Sequence, residues 1–178
     1  MAVLSFSLMN EEVPEGTFHC GNNSIERQIS SAYYATLLQQ AYGYKVMLSN
    51  KIVGYYMIYP RRIELATMDL IEGDEYDSGA TDCFMALHIN YLAIDEKYHK
   101  QNIGTYTLKG IIRTVERISQ QIPIRLITID ALAYYHEWYM TIGFRDIPGI
   151  KVVDDIIPMY MDCINDTRRK LLDDYCEI

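Results

Sequence analysis

Two stretches of the chain carry residue types that could do chemistry, and the first spans residues 90–112. A β-rich run, Phe84 to Ile94, is followed by a polar turn, and a helical pattern opens near Ile103. The N–H groups and the dipole at the start of a helix attract anions. Gly104 has no Cβ to keep a phosphate away, and Asn102 tolerates a positive φ. The turn predicts a pyrophosphate cradle, although a single glycine in such a turn is weak support taken alone.

The second stretch, residues 127–148, reads as a strand, an aromatic-rich helix and an outgoing strand that follows Gly-Phe. Trp138 and Tyr135 fit the buried stripe of that helix, so we expect them to pack in the core. Tyr139 lies beside this stripe, and its hydroxyl is therefore expected to reach a cleft. A neutral phenol in a cleft can donate a proton to a departing thiolate.

Together the two stretches resemble the cofactor motif and the following helix of the GNAT superfamily of N-acyltransferases. The family loop, Gln/Arg-x-x-Gly-x-Gly/Ala, is matched here by His99, Asn102 and Gly104. The family helix, aromatic-Tyr-x-x-x-Gly-Phe, is matched without a break by WYMTIGF at 138–144. The two motifs stand in the family's order and at its usual separation. His99 and Asn102 depart from the family pattern, which puts the strength of coenzyme binding in question.

The resemblance implies acetyl-CoA as the acyl donor, direct transfer of the acyl group to a primary amine, and no metal. It implies that the main chain of Leu92 and Ile94 pairs with the pantetheine arm like an added strand. It gives Tyr139 the role of proton donor to the coenzyme sulfur. The backbone amides implied as the pyrophosphate cradle are those of Gln101, Asn102, Ile103, Gly104 and Thr105. The implied fold is α/β, a mixed and mostly antiparallel central sheet flanked by helices.

An acyl transfer to an amine also needs a proton acceptor, because only the neutral amine attacks a thioester. The two-residue period of the strand predicts that His88 shares a face with Leu92 and Ile94. A histidine titrates near neutral pH, so His88 is the candidate base, with a structural, hydrogen-bonded histidine as the alternative. Asp130 stands where a helix cap is expected, and we interpret it as structural. No carboxylate stands out as the base.

Three further segments, FHCGNNSIERQI, KIVGYYMIY and NYLAID, resemble one branch of the superfamily, the bacterial toxins that acetylate aminoacyl-tRNA. The net charge of −8 opposes this acceptor, because nucleic-acid binding proteins usually present a basic surface. Three hypotheses stay open: an N-acetyltransferase for an unidentified amine, a tRNA-directed toxin, and an acyl-CoA-binding domain without catalysis.

Composition is typical of one globular domain over residues 1–178, with 49% hydrophobic and 22% charged residues. No apolar run is long enough to cross a membrane, and the first residues do not resemble a secretory signal. Four scattered cysteines form no CxxC or Cys/His pair, which disfavours a zinc site. We therefore expect a cytoplasmic protein that has no membrane partner.

The elements that must position these residues follow from periodicity and from turn signals. In the first half we expect a strand at 3–8, a helix after the caps at 22–24 that stops at Gly43, a hairpin at 44–58, a sheet continuation at 61–70 and a loop at 72–81. In the second half we expect a strand at 84–94, a helix at 103–120, a strand at 124–129, a helix capped by Asp130, closing strands, and a terminal helix or tail at 164–178. Leu171, Leu172 and Tyr175 in this tail are candidates for a homodimer contact.

Overall fold

The computed structural model describes residues 4–72, 81–150, 152–164 and 168–170. Within these residues seven strands form one sheet in the order β1-β2-β3-β4-β5-β7-β6, in which only β4 and β5 run parallel. The strands are β1 (Leu4–Leu8), β2 (Tyr42–Leu48), β3 (Lys51–Glu64), β4 (Cys83–Ile94), β5 (Leu126–Leu132), β6 (Arg145–Asp146) and β7 (Ile156–Asp162). The helices are α1 (Asn23–Leu37), α2 (Leu65–Glu72), α3 (Ile103–Ile118) and α4 (His136–Ile142). The predicted mixed, mostly antiparallel α/β fold is confirmed.

The helices cover both faces of the sheet. Leu108, Ile111 and Val115 recur on one side of α3, as an amphipathic helix requires, and they join the largest core cluster together with α4. On the opposite face α1 contributes Ile29 to a second cluster, and α2 contributes Met68 to a third. We refer to these as the α3 face and the α1 face of the sheet.

Helix α1 begins as predicted but ends earlier. The Asn22 side chain caps it by accepting hydrogen bonds from the amides of Ser24 and Ile25 at 3.0 and 3.1 Å. The helix ends at Leu37, and the chain turns at Gln39, which has a φ of 56°. The prediction of Gly43 as the stop is wrong, because Gly43 lies within β2.

The predicted hairpin forms, and its second strand is longer than expected. Ser49 and Asn50 turn the chain between β2 and β3 with φ values of 47° and 68°, the left-handed conformation that two-residue hairpin turns need. Strand β3 runs to Glu64, where α2 begins. The expectation that the sheet continues over 61–70 is therefore correct for residues 61–64 and wrong for residues 65–70, which are helical.

Asp130 is a strand residue, so the prediction that it caps a helix is wrong. It lies inside β5, paired with Pro158 of β7, and the chain makes a short 3₁₀ turn at Ala133–Tyr135 before α4 begins. Neither the 3₁₀ turn nor α4 has a side-chain cap among the described residues. A carboxylate that is typical of a cap is thus placed on the surface of the sheet.

Strand β4 contains a β-bulge at Asn90, and the bulge changes which side chains share a face. Met57 of β3 pairs with Tyr91 and the next residue, Ile58, pairs with Ile89, so Asn90 is an extra residue on β4. Ile89 lies on the α3 face before the bulge, whereas Tyr91 lies on the α1 face after it. The prediction that His88 shares a face with Leu92 and Ile94 is wrong, because the bulge interrupts the two-residue period.

The predicted acidic loop at 72–81 and the C-terminal tail fall almost entirely outside the described residues, as do Leu171, Leu172 and Tyr175. The homodimer hypothesis stays a prediction. None of the helices in the described ranges is both long and apolar enough to cross a lipid bilayer.

Candidate active site

Strands β4 and β5 separate part-way along their length and leave a fork in the sheet. Their parallel pairing covers only Ala86–Ile89 against Leu126–Ile129. Beyond it β4 continues to Ile94, while β5 continues to Leu132 paired only with β7. The edge of β4 that faces the fork therefore has no strand partner after Ile89. An extended ligand could add to this edge by backbone hydrogen bonds, as an additional strand does.

The main chains of Leu92 and Ile94 face this open edge. The Asp95 amide donates a 2.9 Å hydrogen bond to the Val53 carbonyl, so Asp95 points toward β3. Adjacent strand residues direct their backbone groups to opposite edges, and Ile94 and Leu92 therefore point into the fork. The structure thus gives these two residues the orientation that the predicted pantetheine contact requires.

The His99 ring occupies part of that edge. Its Nε2 lies 2.8 Å from the carbonyl oxygen of Ile94, and since a carbonyl only accepts, Nε2 must carry the proton. The bond joins the end of β4 to the turn before α3. His99 therefore orders the turn. Because its ring uses the Ile94 carbonyl, the backbone N–H of Ile94 is the group that remains available to a ligand.

The turn before α3 has the predicted conformation. Asn102 has a φ of 60° and ψ of 10°, and Lys100 is also left-handed with a φ of 60°. Asn102 makes no side-chain cap bond, and the first intrahelical bond is donated by the Tyr106 amide to the Asn102 carbonyl at 3.0 Å. The first amides of a helix have no intrahelical acceptor, so this N-terminus presents free donors to an anion.

Gly104 brings the turn, the fork and α4 together. A Cβ built on Gly104 would lie 3.7 Å from the Trp138 ring, 3.8 Å from Ile94 and 3.9 Å from Leu92. These are ordinary van der Waals distances, so the protein itself does not require glycine here. The Trp138 Nε1 also donates a 3.2 Å hydrogen bond to the Thr105 hydroxyl. The expectation that Trp138 is only a core residue missed this contact, which fixes α4 against the first turn of α3.

Tyr139 is placed with its ring in the core on the α3 face, and only 6% of the residue is exposed. The predicted stripe is therefore wrong at Tyr135, which is 40% exposed, because the chain makes a 3₁₀ turn there before α4 begins. The Tyr139 ring centroid lies 4.6 Å from that of Trp138 and 5.6 Å from that of Phe144. No described group hydrogen-bonds the Tyr139 hydroxyl. Among the described residues, the side-chain oxygen that is both without a hydrogen bond and shut off from solvent is that of Tyr91, and the Tyr139 oxygen is not in this class. The Tyr139 oxygen therefore keeps an opening to solvent. Burial raises the pKa of Tyr139, and the nearby Tyr135 raises it further by a smaller amount, so the phenol stays protonated at neutral pH.

His88 lies on the α1 face with its side chain 3% exposed. Its Nδ1 lies 3.0 Å from the Thr128 hydroxyl and 3.3 Å from the Arg61 guanidinium. Burial lowers the pKa of His88 to about 4, against an opposing effect of Asp130 and with a further lowering by Arg61. These surroundings disfavour the predicted role of general base, because burial makes the ring a weak base and its free lone pair already accepts from Arg61.

Two groups near the fork were not singled out as functional from sequence, Arg61 and Asp130. Their side chains are 41% and 43% exposed, and Arg61 Nη1 lies 3.7 Å from Asp130 Oδ1. The sequence gives little signal for either residue, since Arg61 stands in no motif and Asp130 resembles a helix cap. Across the described ranges no three His, Cys, Asp or Glu side chains gather as metal ligands would.

No protein-family model matches the sequence, and a search of curated proteins gives no match. Solved structures do match the fold. One described as a bacterial toxin has a TM-score of 0.77 at 16% identity, covering 92% of both chains. AtaTR bound with acetyl-CoA has a TM-score of 0.71 at 15% identity, over 95% of this chain and 97% of that one. AtaT complexed with acetyl-methionyl-tRNAfMet has a TM-score of 0.71 at 15% identity, over 96% and 99%. The chain has the fold of these toxins.

This likeness shows that the chain shares the fold of these structures. It extends over nearly the whole chain, 92–96% of it in the three structures named. At this level of identity the site chemistry must be argued from this chain's own residues.

Proposed function

We propose that the chain is an acetyl-CoA-dependent N-acetyltransferase of the cytoplasm. The observation that carries the proposal is the convergence at Gly104, where the uncapped start of α3, the open edge of β4 and the helix bearing Tyr139 meet. Each of the three features suits a different part of one ligand: a diphosphate, an extended amide-containing arm and a thioester sulfur.

The diphosphate would lie at the start of α3, against the amides of residues 101–105. Lys97 and Lys100 flank this turn and make no ion pair with any described residue, so their charges are available to phosphates. The arm would then follow the β4 edge past the Ile94 amide and Leu92 into the fork. The departures at His99 and Asn102 preserve the turn, because His99 anchors it and Asn102 adopts the left-handed conformation.

In the reaction, the neutral acceptor amine attacks the thioester carbonyl, a C–N bond forms and the C–S bond breaks. The departing sulfur takes a proton from the Tyr139 hydroxyl, and the proton lost by the amide nitrogen returns to the tyrosine oxygen, directly or through water. A neutral phenol suits this role, since it donates a proton without first being charged, and burial keeps it protonated until the sulfur departs by raising its pKa.

For the acceptor we propose the α-amine of an aminoacyl-tRNA. The fold likeness to AtaT in complex with acetyl-methionyl-tRNAfMet supports this choice. The net charge of −8 favours the second candidate, a small primary amine that needs no basic surface.

The test incubates the purified protein with acetyl-CoA and a pool of aminoacyl-tRNAs, and follows release of free thiol and acetylation of the α-amine. Deacylated tRNA is the matched control, because it has the same phosphates but lacks the aminoacyl ester that carries the α-amine. We expect thiol release only with the charged tRNA. Release with a panel of small amines and none with charged tRNA would establish the second candidate, and no coenzyme A binding at all would reject the enzyme.

A further inference from the structure

Arg61, His88 and Asp130 form a mixed-charge cluster on the α1 face of the sheet. Asp130 Oδ1 lies 3.7 Å from Arg61 Nη1, and Asp130 Oδ2 lies 3.9 Å from His88 Nε2. Arg61 and Asp130 form a rim that is about two-fifths exposed, and His88 lies beneath it almost fully buried. The cluster thus opens to solvent above a fixed polar floor.

The cluster stands where the reacting groups would meet. Asp130 directly follows Ile129, the last residue of β5 that pairs with β4, so it lies at the base of the fork. A donor whose phosphates are held beside Ile94 runs back along β4 toward Asn90, and its acyl end then reaches the same place. An acceptor entering from the α1 face would pass Asp130 first.

The carboxylate of Asp130 has unused hydrogen-bonding capacity. No described donor lies within hydrogen-bond distance of it, since its contacts with Arg61 and His88 exceed 3.5 Å. An ionised carboxylate accepts up to about four hydrogen bonds. Arg61 uses one of its donors on His88 and has others free for an acceptor atom, since a guanidinium has about five N–H groups.

The tautomer of His88 decides which ring atom faces the Asp130 carboxylate with a hydrogen. Arg61 can only donate, so the Nδ1 atom that it contacts at 3.3 Å must accept, and the neutral ring carries its proton on Nε2. Nε2 is the atom that faces Asp130 Oδ2. His88 is therefore a positioning residue that acts without a direct hydrogen bond: its Nε2–H faces the carboxylate from 3.9 Å below and leaves the carboxylate lone pairs open.

We propose that Asp130 and Arg61 recognise an α-aminoacyl group: the carboxylate binds the acceptor's ammonium, which releases a proton to solvent before the neutral amine attacks, and the guanidinium binds the carbonyl one carbon away. Two opposite charges a few ångströms apart match an amine and a carbonyl on adjacent atoms, whereas an isolated alkylamine would use only Asp130. The inference rests on the proposed acetyltransferase function and assigns to two residues of this chain the recognition of its acceptor, an α-amino ester.

The experiment compares three small probes by NMR titration at pH 6.5 in the presence of coenzyme A. Phenylalanine methyl ester carries both groups, methyl 3-phenyllactate replaces the ammonium by a hydroxyl, and phenethylamine lacks the ester. We expect the native protein to bind the first at least tenfold more tightly than either of the others. Asp130→Asn should remove the discrimination against the hydroxyl probe, and Arg61→Gln the discrimination against phenethylamine.

Asp155→Asn and Arg62→Gln are the matched controls, since both residues are exposed and Arg62 pairs with Glu64 and Asp82 instead of the cluster. They should leave both discriminations unchanged. His88→Gln keeps an N–H donor and should preserve the preference for the ammonium, whereas His88→Leu should lose it while coenzyme A affinity is unchanged.

Equal binding of the three probes by the native protein, or discrimination that survives in Asp130→Asn and Arg61→Gln, would overturn the inference. These outcomes are separate from failure of the acetyltransferase proposal, which is measured without the probes, by coenzyme A binding and by thiol release.

Discussion

At the scale of single residues, Tyr139 carries the strongest prediction. Tyr139→Phe keeps the ring that packs against Trp138 and Phe144 but removes the proton donor. We expect kcat to fall roughly 100-fold or more, since general acid catalysis typically contributes that much. The affinity for acetyl-CoA, measured by calorimetry, should change less than about twofold.

Tyr135→Phe is the control for Tyr139→Phe, because this half-exposed phenol lies at the entrance to the same helix. It should leave turnover unchanged. A Tyr139→Phe variant with full turnover, under conditions where chemistry limits the rate, would remove the phenol from the mechanism.

His88 predicts how stability depends on pH. Its pKa is about 4 in the folded protein and about 6.5 in an unfolded chain, so between these values only the unfolded state binds the proton. The stability contributed by the neutral ring is complete above pH 6.5 and is lost as pH falls toward 4. The loss is on the order of 3 kcal/mol at the acid end of this window.

Urea unfolding of the native protein and of His88→Gln at pH 7, 5.5 and 4.5 measures this contribution. The difference in free energy of unfolding between the two should shift in favour of the variant as pH falls. A difference that stays constant with pH would show that His88 titrates normally in the folded state.

At the scale of elements, the turn before α3 depends on the conformation of Asn102. A left-handed backbone costs an ordinary L-residue roughly 1–2 kcal/mol, and asparagine or glycine much less. Asn102→Ala should therefore lower the free energy of unfolding by about 1 kcal/mol and weaken acetyl-CoA binding. Asn102→Gly is the matched variant and should retain both, as measured by thermal unfolding and calorimetry.

The local elements could be predicted from the sequence because their signals lie within a few residues. The Ser49–Asn50 turn, the Asn22 cap and the amphipathic pattern of α3 each match the structure. The turn at Asn102 could be predicted for the same reason, since asparagine tolerates the left-handed conformation that the structure shows there.

The features that were missed depend on partners far away in the chain. The bulge at Asn90 exists only in the pairing of β4 with β3, so periodicity within β4 could not reveal it. Asp130 is compatible with a helix cap and with a strand end, and pairing with Pro158 of β7 decided between them. The predicted face of His88 was wrong for the same reason, because the bulge separates His88 from Leu92 and Ile94.

At the scale of the whole molecule, the proposal predicts stabilisation by acetyl-CoA. A ligand that binds only the native state, at 100 times its Kd, adds about 2.7 kcal/mol. For a chain of this size that corresponds to a rise in Tm of roughly 5–10 °C. Adenosine 3′-phosphate 5′-diphosphate keeps the phosphates of coenzyme A but lacks the arm, and should give a smaller rise. No shift with millimolar acetyl-CoA would contradict the cradle at α3.

The extra residue in β4 means that the two halves of this strand are out of phase. One half directs its odd-numbered side chains toward α3, and the other directs its even-numbered side chains there. Deleting Asn90 would leave Ile89 followed directly by Tyr91, so the two-residue period would run unbroken through the strand and its last four residues would keep their present faces. The bulge thus falls directly after the last residue of β4 that pairs with β5, where the added bend and twist of a bulged strand help to open the fork.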